Sequence, residues 1–378
     1  MRKVAHKATY GDSDAAVFCT KFSHDDRYLA TGYGDGLTRI YNLNTGKLSY
    51  TLQQFDSQES ELPITAVAWR PVTASMKTSN VLVTAQADGS LKHWHATSGK
   101  CLHRSCEDPE NHLYSIDFTA DGNLLACAGR DRQVRIYDET TKSLAFTMKE
   151  RGKLHGHGNR IFCVKFNKGD QNMLVSGGWD NNVFVYDMRY RGPVHALYGP
   201  HICGDSIDFK SNGYEMICGS YRGEDALEVY DLRMMKRSRV FAWDGTGAEE
   251  LFNNEPETDL EGQASDTDAN EDPAVEERKA IETDSHASTA ATRPLRKADQ
   301  PTIAPFLYTT MLNKQEDLLF AGGSGKNEMR IFDWDSGRIV AMIGNLPKSI
   351  LCGALANTSN QFAFGTADSR LRIFDINE

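Results

Sequence analysis

Residues 174–189 read LVSGGWDNNVFVYDMR. An apolar run ends in small residues, turns at Asp180, resumes as alternating apolar and polar positions, and closes on an aromatic–Asp pair followed by Arg. The closing phrase returns along the chain as LTRIYN, LKHWHA, VRIYDE, VFVYDM, LEVYDL, MRIFDW and LRIFDI. Its aromatics stand at Tyr41, Trp94, Tyr137, Tyr186, Tyr230, Phe332 and Phe374. Five of the six steps lie between 42 and 53 residues; the sixth is 102 and contains an insertion.

A second mark fixes the register. Asp35, Asp88, Asp131, Asp180 and Asp368 each stand six residues before their aromatic. A short carboxylate accepts backbone N–H bonds in a tight turn, and the Gly that follows Asp35 and Asp88 tolerates positive φ. Upstream lie two strand-like runs per unit, such as IFCVKF and MLVSGG in the fourth. Each unit therefore reads as four short antiparallel strands, with no long helical period anywhere. Such a sheet cannot bury both faces alone; stacking several around an axis does so.

Units of this length, ending in aromatic–Asp, resemble WD40 repeats. The resemblance covers the chain apart from the insertion and implies an all-β, seven-bladed propeller. It also implies a buried polar set in the fourth unit: His157, Ser176, Asp180 and Tyr186, with His201 in the equivalent role in the fifth. The fifth and sixth units lack the hairpin Asp, so their polar networks must be differently built. The seventh unit has three strands and residues 3–10 have no partner of their own, so that segment is expected to supply its outer strand and close the ring.

The domain reading follows: residues 1–243 form blades one to five, 244–300 an insertion, and 301–378 blades six and seven. The insertion carries 16 acidic and 5 basic residues, a net of −11 against −10 for the whole chain, so the rest sums to +1. Few apolar residues and high charge predict disorder. Two uses suit it, a solvated spacer or an acidic lure for a basic partner, with Ser265 in a setting that many kinases accept.

Composition narrows function. With 40% apolar and 25% charged residues the chain reads as a soluble globular protein, and no run approaches the about 20 apolar residues that span a bilayer. The basic N-terminus lacks an apolar core, which predicts a cytoplasmic protein, with a nuclear or ciliary place open. Eight cysteines fall mostly inside strands and form no CxxC pair; Cys101, His103 and Cys106 match no zinc finger. AGGSGKNE at 321–328 aligns with the repeat hairpin and lacks the Ser or Thr of a phosphate loop. His93 and His95 flank Trp94 and read as an exposed polar strand face. No catalytic constellation, cofactor or metal site is predicted, and neither nucleic acid nor membrane nor small-molecule substrate is expected. RMMKRSR, 233–239, reads as edge protection on an outer strand.

The main expectation is a non-catalytic scaffold presenting propeller surfaces and an acidic loop to protein partners in a multi-subunit complex. Tyr221 and Arg222, in the divergent hairpin of the fifth unit, are the candidate partner-specific surface. The alternative rests on VYDMR and VYDLR. Two successive aromatic–Asp–x–Arg endings resemble those of WD40 substrate receptors of cullin-RING ubiquitin ligases, which implies adaptor contacts by Arg189 and Arg233.

Overall fold

The computed structural model describes residues 3–11, 14–53, 62–72, 80–148, 154–243, 250–251 and 305–377. Twenty-nine strands and no helix occur among them. Blade one holds β2 (Val17–Phe22), β3 (Tyr28–Tyr33), β4 (Thr38–Asn42) and β5 (Lys47–Leu52). Blade two holds β6 (Ile64–Trp69), β7 (Val81–Gln86), β8 (Ser90–His95) and β9 (Lys100–Cys106). Blade three holds β10 (Leu113–Phe118), β11 (Leu124–Gly129), β12 (Val134–Asp138) and β13 (Ser143–Thr147). Blade four holds β14 (Ile161–Phe166), β15 (Met173–Gly178), β16 (Asn182–Asp187) and β17 (Gly192–Tyr198). Blade five holds β18 (Ile207–Phe209), β19 (Glu215–Gly219), β20 (Leu227–Asp231) and β21 (Lys236–Val240).

β22 (Glu250–Leu251) pairs parallel with β26, the outer strand of blade six, which also holds β23 (Phe306–Leu312), β24 (Leu318–Ser324), β25 (Met329–Asp333) and β26 (Ile339–Ile343). Blade seven holds β27 (Ile350–Leu355), β28 (Gln361–Thr366) and β29 (Leu371–Asn377), and its fourth strand is β1 (Lys3–Tyr10). The acidic insertion expected to be disordered over 244–300 lies, apart from the β22 pairing, outside the described residues.

Closure is antiparallel, from Lys3 opposite Asn377 to Tyr10 opposite Leu371. The strand that completes blade seven also reaches blade one, where Tyr10 stacks on Tyr41 with centroids 4.6 Å apart. At the same seam Asp26, at φ 53° in the turn between β2 and β3, accepts the backbone N–H groups of Asn357 (2.7 Å), Thr358 (2.5 Å) and Ser359 (2.9 Å). Burial alone would raise this carboxyl, but those donors and the Thr358 hydroxyl hold its pKa below the ordinary value.

The seven repeat aromatics are all buried, and the apolar core is divided among the interfaces between blades. Between blades six and seven, for example, Met311, Phe320 and Ile331 pack on Ile350, Phe362 and Phe374. Alternation puts one face of each sheet against each neighbour, so both faces are apolar and no blade is stable alone. The turns follow the residues predicted for them. Gly89 takes φ 80°, and a Cβ there would lie 2.1 Å from the Asp108 carbonyl oxygen, so glycine is required.

Phe374 stacks on Phe362 and Phe364 at 5.3 and 5.4 Å and lies on the strand that receives β1. Phe374→Ala is expected to destabilise the ring by about 3–5 kcal/mol, read by denaturant unfolding. Removing residues 1–10 exposes the edge of β29. Sedimentation velocity should then show concentration-dependent self-association, and an unchanged monomer with an unchanged melting midpoint would contradict the closure.

Candidate functional site

The hairpin between the second and third strand of each blade carries the repeat's polar chemistry. In blade four His157 Nδ1 donates to Asp180 (2.9 Å to Oδ2) and Nε2 meets the Ser176 hydroxyl at 2.6 Å. The Ser176 and Tyr186 hydroxyls are 3.2 Å apart, and Gly158 N–H donates to Asp180 at 2.9 Å. Burial would raise the Asp180 carboxyl; His157 and these donors outweigh it and hold the pKa below the ordinary 3.8. The four predicted members are thus brought together.

The other hairpin aspartates each cap the backbone N–H two residues on: Asp35 that of Leu37 (3.0 Å), Asp88 Ser90 (2.8 Å), Asp131 Gln133 (3.2 Å) and Asp368 Arg370 (3.2 Å). Where the histidine is missing, an arginine four residues after the Asp supplies the charge. Arg39 lies 2.8 Å from Asp35, Arg135 2.5 Å from Asp131, and Arg372 2.9 Å from Asp368. This substitution was legible: TRIY, VRIY and LRIF all place a base two residues before the aromatic.

Blade five reverses the polarity. Glu228 on β20 is buried and takes Arg222 at 2.6 Å, Arg237 at 2.7 Å and the Tyr230 hydroxyl at 3.1 Å. Blade six builds a third version, with Glu328 accepting from Arg330 (2.7 Å) and Trp243 Nε1 (2.8 Å).

Two expectations change. His201 does not serve blade five; its Nδ1 is 2.6 Å from Asn181 Oδ1 in the hairpin of blade four, because the approach to β18 runs across that hairpin. His93 is not on an exposed face. It is 4% exposed, with Nε2 2.8 Å from Glu139 Oε1, because the turn of blade three that carries Glu139 and Lys142 closes over it. Burial lowers the His93 pKa more than Glu139 raises it, so the ring is neutral at pH 7 and donates to the carboxylate. His95 bonds Ser98 at 2.7 Å. His103 Nε2 lies 3.1 Å from the Lys142 carbonyl, and no cluster of three or more metal-ligating side chains occurs among the described residues. AGGSGKNE lies across β24 and the turn to β25, the hairpin of blade six.

The axial channel is built by one repeated device. Near the start of the inner strand a β-bulge inserts an extra residue: Phe18, Thr65, Tyr114, Phe162, Tyr308 and Leu351 in blades one, two, three, four, six and seven. A bulge re-aims its side chain, and all six line one end of the channel, a cavity of about 440 Å³ touched by all seven blades. The other end, about 560 Å³, is polar. Lys21 and Asp205 stand at the divide. Asp205 takes Lys21 from β2 and Lys165 from β14, each at 2.8 Å. Burial opposes its charge, but the two lysines hold its pKa well below the ordinary value. Burial also raises the nearby Asp117 carboxyl.

From the channel mouth a row of rings runs outward. Tyr114 stacks on Phe162 at 4.6 Å, Phe162 on Trp179 at 4.9 Å, and Trp179 lies parallel to His201 at 6.4 Å. His201 meets Tyr221 at 6.3 Å, and Tyr221 stacks on Phe306 at 4.4 Å. Trp179 is 38% and Tyr221 37% exposed. The bulge members of this arc carried a signal in the sequence, the second residue of each inner-strand phrase; their contact did not.

Comparison with known proteins agrees. The family described as WD domain, G-beta repeat matches residues 5–42, 99–138 and 148–187. With seven closed blades this decides the family. The chain is a WD40-repeat propeller. The propeller is 27% identical over 252 residues to the THO complex subunit 6 homolog of Danio rerio, covering 61% of this chain and 72% of that one. It is 21% identical to the LEC14B homolog of Prunus armeniaca, covering 61% and 49%, and 22% identical to the E3 ubiquitin-protein ligase COP1 of Pisum sativum, covering 63% and 34%. The match therefore spans half or less of the latter two.

The rim pairs of this WD40 propeller are equivalent. Arg189 Nε and Nη2 donate to Asp187 at 3.0 and 2.7 Å, and Arg233 Nε and Nη2 to Asp231 at 3.1 and 2.7 Å. Arg233 also lies 3.8 Å over Tyr214. The Arg233 hydrogen bond pulls the Asp231 pKa down to about 2. Both arginines are well exposed. Arg222 is turned inward to Glu228, while Tyr221 sits in the arc.

Asp180→Asn is expected to destabilise by about 2 kcal/mol, whereas Asp187→Asn leaves the unfolding midpoint unchanged, because an exposed pair is screened by water. Since the Asp180 pKa is lowered by folding, its contribution is complete above the ordinary 3.8 and is lost as pH falls through the native value. Acid titration of wild type against Asp180→Asn checks the sign; a difference that grows toward low pH would contradict it.

Proposed function

We propose that the protein is a non-catalytic interaction scaffold, a subunit of a multi-protein assembly, and that partner proteins dock at the apolar channel mouth and the aromatic arc beside it. The observation that carries the reading is the arc itself. Rings stacked to within 4.4–6.4 Å of one another are held rigid yet left partly open to solvent, which is how a binding hot spot differs from a core. Trp and Tyr offer large contact area with little entropy to lose. The relatives bear names of assemblies, including the THO complex subunit and the target of rapamycin complex subunit LST8-1 of Arabidopsis thaliana. Tyr221 belongs to this surface, and Arg222 supports it by holding the hairpin in place. The protein is placed in the cytoplasm, with the nucleus or a cilium as further sites of the same assembly.

The second reading is a substrate receptor for a cullin-RING ubiquitin ligase, with Arg189 and Arg233 contacting the adaptor. Its support is the matched geometry of the two pairs, together with one relative that is named an E3 ubiquitin-protein ligase.

Tagged full-length chain recovered from the source cell should carry stoichiometric partners, which Trp179→Ala/Tyr221→Ala loses and Arg189→Ala/Arg233→Ala keeps. Quantitative mass spectrometry reads both. Loss only in the arginine variant moves the assignment to the ligase reading, and retention in both variants removes the arc as the docking surface.

A further inference from the structure

We propose that the arc running from Tyr114 through Phe162, Trp179, His201 and Tyr221 to Phe306 docks a basic, Arg- and Lys-bearing segment of a partner protein. This rests on the scaffold reading above and names the chemistry of the partner.

The rings already accept a cation. The Arg160 guanidinium stands 5.4 Å from the centroid of Trp179, a cation–π distance, and Trp179 keeps 38% of its surface exposed. The arc supplies apolar and π surface but no carboxylate of its own. At the channel divide Asp205 is matched by Lys21 and Lys165. The charge that selects a partner therefore comes from elsewhere in the chain. The stretch 244–304, with its net charge of −11, rejoins the ring just before Phe306, whose side chain ends the arc in a 4.4 Å stack on Tyr221. A tethered charge of that size raises the local concentration of cations and repels anions near its point of attachment. The described ring has no compensating excess, because the residues outside the stretch sum to +1.

Stacked aromatics also suit unstacked nucleic-acid bases, but such platforms lie in a basic groove that tracks the phosphates. A net charge of −11 attached at the end of the arc opposes phosphate and acidic peptide alike, and favours Arg and Lys. The arc and the charge thus divide the work. The charge steers encounter and fades with salt, whereas the rings set the lifetime of the complex.

Three synthetic peptides with a shared apolar frame, differing only in carrying Arg, Gln or Glu, test this by fluorescence anisotropy on the full-length protein, with an oligouridylate as a fourth probe. The Arg peptide should bind at least about tenfold more tightly than the Gln peptide, and the Glu peptide and oligouridylate should not bind. Trp179→Ala/Tyr221→Ala should weaken the Arg peptide about tenfold, the loss of a desolvated cation–π contact, at low and physiological salt. Changing the Asp and Glu residues between 254 and 302 to Asn and Gln should slow association at low salt and leave dissociation unchanged. A circular dichroism melt shows that each variant is folded. Equal binding of the Arg and Gln peptides overturns the proposal, as does binding of the oligouridylate or an Arg affinity indifferent to the ring variant. If the peptides fail while Trp179→Ala/Tyr221→Ala still loses native partners, the charge preference falls and the scaffold reading stands.

Discussion

Everything in this molecule depends on the pairing of β1 with β29. A propeller blade buries both faces against its neighbours, so a ring left open would expose one apolar face at each end. The first and last described strands share one sheet, which turns the sequence separation of the termini into a local hydrogen-bonded ladder. Tyr10 carries the closure into blade one by stacking on Tyr41, and Asp26 ties the turn of blade one to that of blade seven through three backbone donors. The closing contact is long-range in sequence and short-range in space, so its entropy is charged once to the whole ring.

With closure in place, the interior divides into two kinds of polar chemistry. The hairpin sets are local; each couples an Asp or Glu to a base within or beside one blade, and the base can be His157, Arg39, Arg135 or Arg372 with the same geometric outcome. A charge near a low-dielectric interface needs a partner, and the fold accepts either order of sign, as Glu228 with Arg222 and Arg237 shows. The channel set is global. Asp205 holds lysines from β2 and β14, which only the closed ring brings within 2.8 Å. That bridge separates an apolar end of the channel from a polar one.

The repeat also explains why one face is suited to contact. The bulge near the start of each inner strand keeps the ladder intact on either side and turns one side chain toward the axis. Blades three and four place Tyr114 and Phe162 there, and the rings of Trp179, His201, Tyr221 and Phe306 extend the row away from the axis. Because each ring is buttressed by the next, the surface is preorganised, and docking need not order it.

The sequence by itself determined the number of blades, their strand order and the closing strand, because these follow from a period carried by Tyr41, Trp94, Tyr137, Tyr186, Tyr230, Phe332 and Phe374 and from a seventh unit one strand short. It also determined the polar set of blade four, whose members are spaced as the repeat requires. The basic residue before Tyr41, Tyr137 and Phe374 was visible too, and its pairing needed only the turn geometry. Tertiary structure alone decided that His93 is buried, since the covering carboxylate, Glu139, belongs to the next blade. It alone placed His201 on Asn181 and joined Tyr114 to Phe306 in one arc. Those contacts cross between blades, and a one-dimensional pattern records which face a side chain leaves by, not what the neighbouring sheet brings to meet it.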